Sequence, residues 1–387
     1  MITEEQGLKL VLNDEQRMLK DTALQFFRQR APVSRLRKLR HHQNADGFDR
    51  ALYREMAELG WTGIVIPEEY GGLGLGLFEL CAVLESAGRQ LLVEPMLSTA
   101  VQGAYALMLG GSDALKSEWL PKIVSGDAIV TVAEYEPSAR GCTVHNQATA
   151  RADGDGFVLN AEKHQVLDAH VADLLLVLCR TSGNKGEGRG LTLFAVDPKA
   201  KGVAITRQDR IDDRNAAIVT LSDVAVPKTA VLGEVGGGAE LFLQVFDRTC
   251  VALSAEMLGG ASEAFDTTVE YLKERVQFDV PIGSFQALQH RAARLYMELE
   301  LARSTVLAAA QAFDTGHSDA RKLASLSKYV TAEMFAHVSR EAIQMHGGIG
   351  MTDEHDIGFY FKRAHAAQQS FGSGAFHKRR WASLSGY

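Results

Sequence analysis

The chain has 387 residues, 46% of them apolar and 23% charged, with 48 acidic against 41 basic side chains and a net charge of −7. At about 100–200 residues per domain the length excludes one ordinary domain, and the acidic balance excludes a polyanion such as nucleic acid as main partner. Eight prolines beside 36 glycines exclude a Pro-rich disordered chain.

No apolar run approaches the ~18 residues needed to span a bilayer; the strongest, residues 172–179, stops at Arg180. The amino terminus, Met-Ile-Thr-Glu-Glu, lacks the basic and apolar regions of a signal peptide. Cys81, Cys142, Cys179 and Cys250 show no C-x-x-C spacing and sit in apolar stretches, which predicts buried free thiols in a reducing compartment. The expectation is a soluble, cytoplasmic, multidomain protein.

In chain order, Asn13 followed by Gln16 predicts a capped helix start, and Leu19, Ala23, Phe26 and Phe27 continue at helical spacing. The basic stretch 28–40 reads as a solvated face and connection. A second helical pattern covers 49–59 and stops at Gly60. Residues 61–76 form a glycine-rich loop suited to close approach of another backbone, without G-x-G-x-x-G spacing. More helices run from about 77 to 125.

At Asp127 the texture changes. Segments 128–135, 156–160, 172–180, 191–197, 203–207 and 216–226 are short, rich in Val, Ile, Leu and Thr, and have no amphipathic helix between them. They predict an antiparallel barrel-like β domain. From residue 238 long helical patterns follow, at 238–275, 285–314, 319–345 and 353–370. The first would be over about 50 Å long at 1.5 Å per residue, and the set predicts an antiparallel four-helix bundle. The reading is an N-terminal α-helical domain (1–126), a middle β domain (127–236) and a C-terminal four-helix bundle (237–387).

A bundle of this kind can house a di-iron site through Glu-x-x-His pairs. None of the twelve histidines has a Glu three residues before it, and Asp314-x-x-His317 sits at a helix end without a matching pair, so no metal site is expected. There is no G-x-S-x-G elbow and no P-loop.

Two strings carry chemistry. In Tyr271-Leu-Lys-Glu-Arg275-Val-Gln277-Phe278-Asp-Val-Pro281-Ile-Gly283-Ser-Phe285-Gln286, Pro281 and Gly283 force a turn between two long helices. Arg275 offers a cationic fork suited to a pyrophosphate, Phe278 an aromatic face, and Gln286 a donor and an acceptor. An ordinary helical hairpin with solvated charges is the plainer reading. In Gln344-Met-His346-Gly347-Gly348-Ile-Gly350, a long helix runs into three glycines, which lets backbone N–H groups approach a ligand; a plain helix C-cap needs only one.

The two strings, in this order and on these helices, resemble the acyl-CoA dehydrogenase family. So does 61–76, similar to that family's G-P-E-x-Y-G-G-x-G signature, and so do 120–126 and Glu136-Pro137. The resemblance covers essentially the whole chain. It implies a fold of helical domain, β domain and four-helix bundle, FAD as cofactor, and oxidation of the Cα–Cβ bond of an acyl-CoA thioester with electrons passing to an electron-transfer flavoprotein. In such a reaction a carboxylate takes the α proton while hydrogen bonds to the thioester oxygen stabilise the developing enolate. The resemblance assigns Arg275, Gln277, Phe278, Gln286, Gln344, Gly347, Gly348 and Gly350 to FAD.

The chain departs from the family where the chemistry would be. The usual catalytic Glu lies 24 residues beyond Gly347, and that count lands on Phe371. The alternative position, ten residues before Gly259, is Thr249. Asp247 and Glu256 are nearby carboxylates on the same helix, and Asp247 is the leading candidate for a displaced base. The family's Thr before Glu-Pro is Tyr135, its Gly-Ser-Asp is Arg140-Gly141-Cys142, and its flavin-facing Trp-Ile-Thr is Gln165-Val166-Leu167. In the family the FAD lies between two subunits, one giving the β-domain contacts and base, the other the Arg/Phe/Gln hairpin and glycine turn. This chain has lost the first set and kept the second, as does the small (β) subunit branch of heteromeric acyl-CoA dehydrogenases, which 88–95 and 352–356 also resemble. The expectation is a subunit that completes the FAD site of a homologous partner. A self-sufficient homo-oligomer using a displaced carboxylate and a flavin-free structural or binding paralogue remain as alternatives.

Overall fold

The computed structural model describes residues 10–42, 45–139 and 145–387. The Arg140-Gly141-Cys142 departure lies outside them. The helices are α1 (Asp14–Arg30), α2 (Val33–His42), α3 (Arg50–Glu58), α4 (Leu77–Arg89), α5 (Ala104–Gly110), α6 (Asp113–Val124), α7 (Gly238–Glu274), α8 (Gln286–Asp314), α9 (Ala320–His346), α10 (Ile357–Gln369) and α11 (Gly374–Leu384). The strands are β1 (Val130–Ala133), β2 (Thr149–Asp153), β3 (Gly156–Leu167), β4 (Leu174–Arg180), β5 (Leu191–Val196), β6 (Val203–Gln208), β7 (Ala216–Pro227), β8 (Val231–Leu232), β9 (Val276–Gln277) and β10 (Val280–Pro281). Among the described residues no helix is long and apolar enough to cross a membrane.

The elements pack as two compact units. One takes the chain through His41, Gly76–Leu92 and Cys250–Tyr387; the other takes His42–Leu75 and Val93–Thr249. In the first unit, α1 starts at the expected capping box: the Asn13 side chain accepts from Gln16 N at 2.8 Å and Gln16 Oε1 accepts from Asn13 N at 3.0 Å. Ala23 and Phe27 form its buried face, and Ser86 of α4 donates to Lys20 O. Glycine sets how closely α4 and α7 approach, because a Cβ at Gly88 would collide with Glu256 O and one at Gly259 with Glu85 O. Asp314, at the end of α8, accepts from Leu77 N at 2.7 Å and Phe78 N at 2.9 Å and so caps α4. Helix α2 is not the solvated connection expected from its charge. Arg37 pairs with Asp353 at 3.0 Å and Asp356 at 2.8 Å, with its guanidinium 4.8 Å over the Phe359 ring.

In the second unit the loop after α3 folds on itself through Leu73 N to Gly63 O, Gly74 N to Ile66 O and Leu75 N to Ile64 O. Met96–Gly103 forms a buried π-helix before α5. The eight-stranded sheet runs β6-β7-β3-β2-β4-β5-β8, with β1 beside β4. Most pairs are antiparallel, as the short strands predicted, but β4 runs parallel to both β1 and β2. Leu175, Val177, Cys179, Phe194, Val219 and Leu221 are buried in one core cluster of this sheet.

Candidate functional site

The two strings singled out in the sequence meet in the first unit. Tyr271, one turn before Arg275 at the end of α7, stacks on His346, the last residue of α9, with ring centroids 4.5 Å apart and planes 27° apart. His346 is buried, and its Nδ1 donates to Ala342 O at 2.7 Å. Burial holds its pKa below the usual histidine range.

Beyond Tyr271 the chain makes a two-residue hairpin, with Val280 opposite Gln277 and Pro281 opposite Val276. Phe278 and Asp279 form its turn, with φ of 55° and 66°. A phenylalanine in this left-handed region is uncommon, and here it projects the ring outward, 87% exposed. Phe285 meets that ring edge-on at 6.2 Å. Arg275, Gln286 and Gln344 are all exposed. Arg275 forms no ion pair among the described residues, and the side chains of Gln286 and Gln344 make no hydrogen bond there.

On the glycine side, Gly347 has φ 62° and its N–H bonds to Gln344 O. Open space lies where a Cβ would stand at Gly347 and at Gly348, whereas a Cβ at Gly350 would press on Ile343 O and His346. Two of the three glycines thus leave backbone accessible, and the third permits tight packing. An uncommitted guanidinium, an exposed ring, two free amides and open backbone on one unit suit an aromatic ligand bearing phosphate.

The expected base positions look different. Phe371 lies between α10 and α11 with φ 54°, followed by Gly372 at 95°. Its carbonyl accepts from His377 Nε2 at 2.8 Å, with Cys250 Sγ 3.9 Å away. Lys328 Nζ donates to Ala367 O at 3.0 Å and to Gly372 O at 3.4 Å. Lys328 and His377 are fully buried; burial lowers the lysine to about 8 and the histidine to about 3, the latter helped by the Lys328 charge. The backbone of this loop is thus tightly held while its side chain is an unreactive phenyl. Glu256, also in this unit, is buried and paired with Arg363 at 3.2 Å, and Arg363 donates further to Leu91 O and Leu92 O.

In the second unit Thr249 is buried and its hydroxyl donates to Val245 O at 2.8 Å. Asp247 is fully buried. Tyr135 lies just beyond β1. The next residue, Glu136, is buried and accepts from Lys163 Nζ at 2.6 Å and from Gln147 N and Ala148 N. Gln165 stands at a bulge with φ 52°, while Val166 and Leu167 turn into the core. At this position the strand offers neither the aromatic ring nor the hydroxyl of the Trp-Ile-Thr pattern. Glu134, one residue before Tyr135, is pushed up to about 7, chiefly by burial.

Comparison with known proteins decides the family. Residues 13–127 match the acyl-CoA dehydrogenase N-terminal domain, 132–224 its middle domain and 236–383 its C-terminal domain. The chain belongs to the acyl-CoA dehydrogenase family. A probable acyl-CoA dehydrogenase, YngJ of Bacillus subtilis, is 32% identical over 89% of this chain and 91% of its own. The butyryl-CoA dehydrogenase structure from Megasphaera elsdenii superposes with a TM-score of 0.90 at 25% identity, covering 97% of this chain and 99% of its own. A chain of the ChsE4–ChsE5 complex from Mycobacterium tuberculosis does so with a TM-score of 0.85 at 27% identity, covering 98% and 99%. Acyl-CoA dehydrogenases are FAD-dependent oxidoreductases, and the helical, β and helical segments of this chain are that family's fold.

Some features of this acyl-CoA dehydrogenase are not evident from its sequence. Lys328 and His377, which hold the loop bearing Phe371, read as ordinary charged positions. The available signal is their company: Ala324, Ser325, Ser327, Thr331 and Ala332 are small, buried and close to Lys328 along α9. Among the described residues no cluster of His, Cys, Asp or Glu is placed to hold a metal ion, and Asp314, half of the sequence's nearest approach to a metal motif, is a helix cap.

Proposed function

We propose that this chain is the subunit of an FAD-dependent acyl-CoA dehydrogenase that completes a homologous partner's flavin site and carries no general base of its own. One observation bears the reading. Both positions that hold the family's catalytic carboxylate carry groups unable to accept a proton, a phenyl at Phe371 and a helix-bonded hydroxyl at Thr249, while the residues around Arg275 suited to phosphate are all present. The similar ChsE4–ChsE5 structure is a complex, in keeping with a partnered enzyme.

FAD, when bound, supplies the acceptor for the hydride leaving Cβ of the acyl-CoA. On this reading Arg275 neutralises its pyrophosphate, and Gly347, Gly348 and Gly350 let the turn backbone stand against the phosphates. Phe278 covers an apolar face of the bound group, with Gln277, Gln286 and Gln344 supplying hydrogen bonds to its polar edges. The partner provides the carboxylate for the α proton, and an electron-transfer flavoprotein takes the electrons onward. The self-sufficient alternative rests on Asp247, whose complete burial keeps it from a substrate unless the fold opens. A cytoplasmic setting accords with Cys81, Cys179 and Cys250 as buried thiols outside any disulfide.

Co-expression with homologous paralogues, followed by measurement of flavin per chain, tests the reading. One FAD per two chains and no acyl-CoA oxidation by this chain alone are expected. Strong oxidation by the isolated protein overturns it, and absence of flavin bands in every pairing favours the flavin-free alternative.

A further inference from the structure

We propose that the groove between α9 and α10 is a second small-molecule site, built for a nucleoside phosphate. It encloses about 470 Å³, within the usual range of ligand pockets. Of the residues assigned to FAD above, Gly350 alone lines it; Arg275, Phe278, Gln286, Gln344, Gly347 and Gly348 do not. The groove therefore adjoins that surface without coinciding with it.

Its chemistry has two parts. The cationic part is Arg340 from α9 and Lys362 from α10. Neither makes an ion pair among the described residues. The one carboxylate lining the groove, Asp353, is held at 3.0 Å by Arg37, so it does not cancel them. Lys362 is half-buried, with its ammonium 5.6 Å from the centre of the Phe359 ring. A dianionic phosphate therefore finds two uncommitted cations, and charge-assisted contacts of this kind are the strong ones.

The apolar part is Met351, 79% exposed, and Phe361, 39% exposed, beside the His355 ring. A thioether and two rings in one groove suit a flat aromatic body through stacking and sulfur–aromatic contact. Free phosphate uses only the first part and a fatty carboxylate offers a single charge and no ring, so a base joined to a phosphate matches the whole groove.

The test is calorimetric titration of the full-length chain with AMP, adenosine, inorganic phosphate and decanoate at low salt. Saturable AMP binding is expected, with adenosine and inorganic phosphate each at least about tenfold weaker, and loss of both cations in R340E/K362E weakening AMP by at least about tenfold. Because Arg275 is untouched in R340E/K362E, loss of AMP binding in that variant separates this groove from the FAD surface. No saturable AMP binding, equal binding of adenosine, stronger binding of decanoate, or AMP binding that survives R340E/K362E would each overturn the proposal. Circular dichroism of the variant, which alters exposed or half-buried side chains, establishes that it folds.

Discussion

Tyr271 stacks on His346 with ring centroids 4.5 Å apart, and the contact joins two strings that are distant in the chain. It places the last turn of α7, which leads into Arg275, against the last residue of α9, which leads into Gly347. An offset aromatic pair is worth about 0.5–1.5 kcal/mol beyond its buried area. His346→Ala should lower stability by about 1–3 kcal/mol and reduce flavin retained by the assembled enzyme, whereas His346→Phe, which keeps a ring, should restore most of both. Thermal melts and flavin absorbance check this; equal flavin retention in His346→Ala would show that the stack does not position the site.

Arg275 is the uncommitted cation of the surface assigned to FAD. Arg275→Ala should weaken flavin retention by about tenfold or more, as loss of a charge-assisted contact worth about 1.5–3 kcal/mol implies. Arg275→Lys should recover it only in part, because an ammonium cannot present the planar fork. Stability should hardly change, since the side chain is exposed. Flavin content and the melting curve, measured on the same samples, separate the two effects.

Legibility in the sequence follows periodicity. Helices α7, α8 and α9 end within about two residues of where their apolar spacing puts them, because long amphipathic patterns over-determine a helix. Strand β2 escapes such reading because only Ala150 of its five residues is buried, which leaves little alternation. The β9–β10 hairpin escapes it because two-residue strands carry no period. Helix α11 lies beyond the last clear pattern, and only Gly374 and His377 of it are buried. Arg37 and Lys328 mislead for a common reason. Charge predicts solvent exposure, and only tertiary partners reveal that one is engaged by two aspartates and the other by two carbonyls. The glycine turn after α9 and the break between α7 and α8 at Pro281 and Gly283 are legible because their backbone demands restrict residue type.

The close contact of α4 with α7 leaves no room for a methyl group. Gly259→Ala should destabilise by about 1–3 kcal/mol, the usual range for overpacking, or more, because the obstacle is the backbone carbonyl of Glu85 rather than a movable side chain. Gly348→Ala, which places its methyl in open space, should leave the melting temperature nearly unchanged while reducing flavin retention. Similar melting losses in both variants would contradict this assignment of the two glycines.

Asp168 gives a pH dependence with a definite sign. It is 4% exposed, and burial raises its pKa from 3.8 to about 6 although Ser98 Oγ donates to it at 2.6 Å. Because the folded state holds this proton more tightly than the unfolded chain, its contribution to stability is greatest below about pH 4. It is lost as pH rises towards and through about 6. The difference is worth about 3 kcal/mol at 1.36 kcal/mol per pKa unit. Denaturant midpoints of the wild type and Asp168→Asn should therefore differ in slope mainly between about pH 4 and 6. Parallel profiles would show that the aspartate keeps an ordinary pKa in the folded protein.

Lys328 gives a pH dependence of the opposite sign, in a higher window. Its folded pKa of about 8 lies below the ordinary 10.5, so the unfolded chain binds more protons between those values and stability rises with pH across that range. Below about pH 8 both states are protonated and the buried ammonium costs its full desolvation, offset by the carbonyls of Ala367 and Gly372. Lys328→Met removes the titration. Its denaturant midpoints, followed from pH 7 to about 10, should lack the upward slope of the wild type above pH 8. The same slope in both proteins would place the origin of the pH dependence in another group.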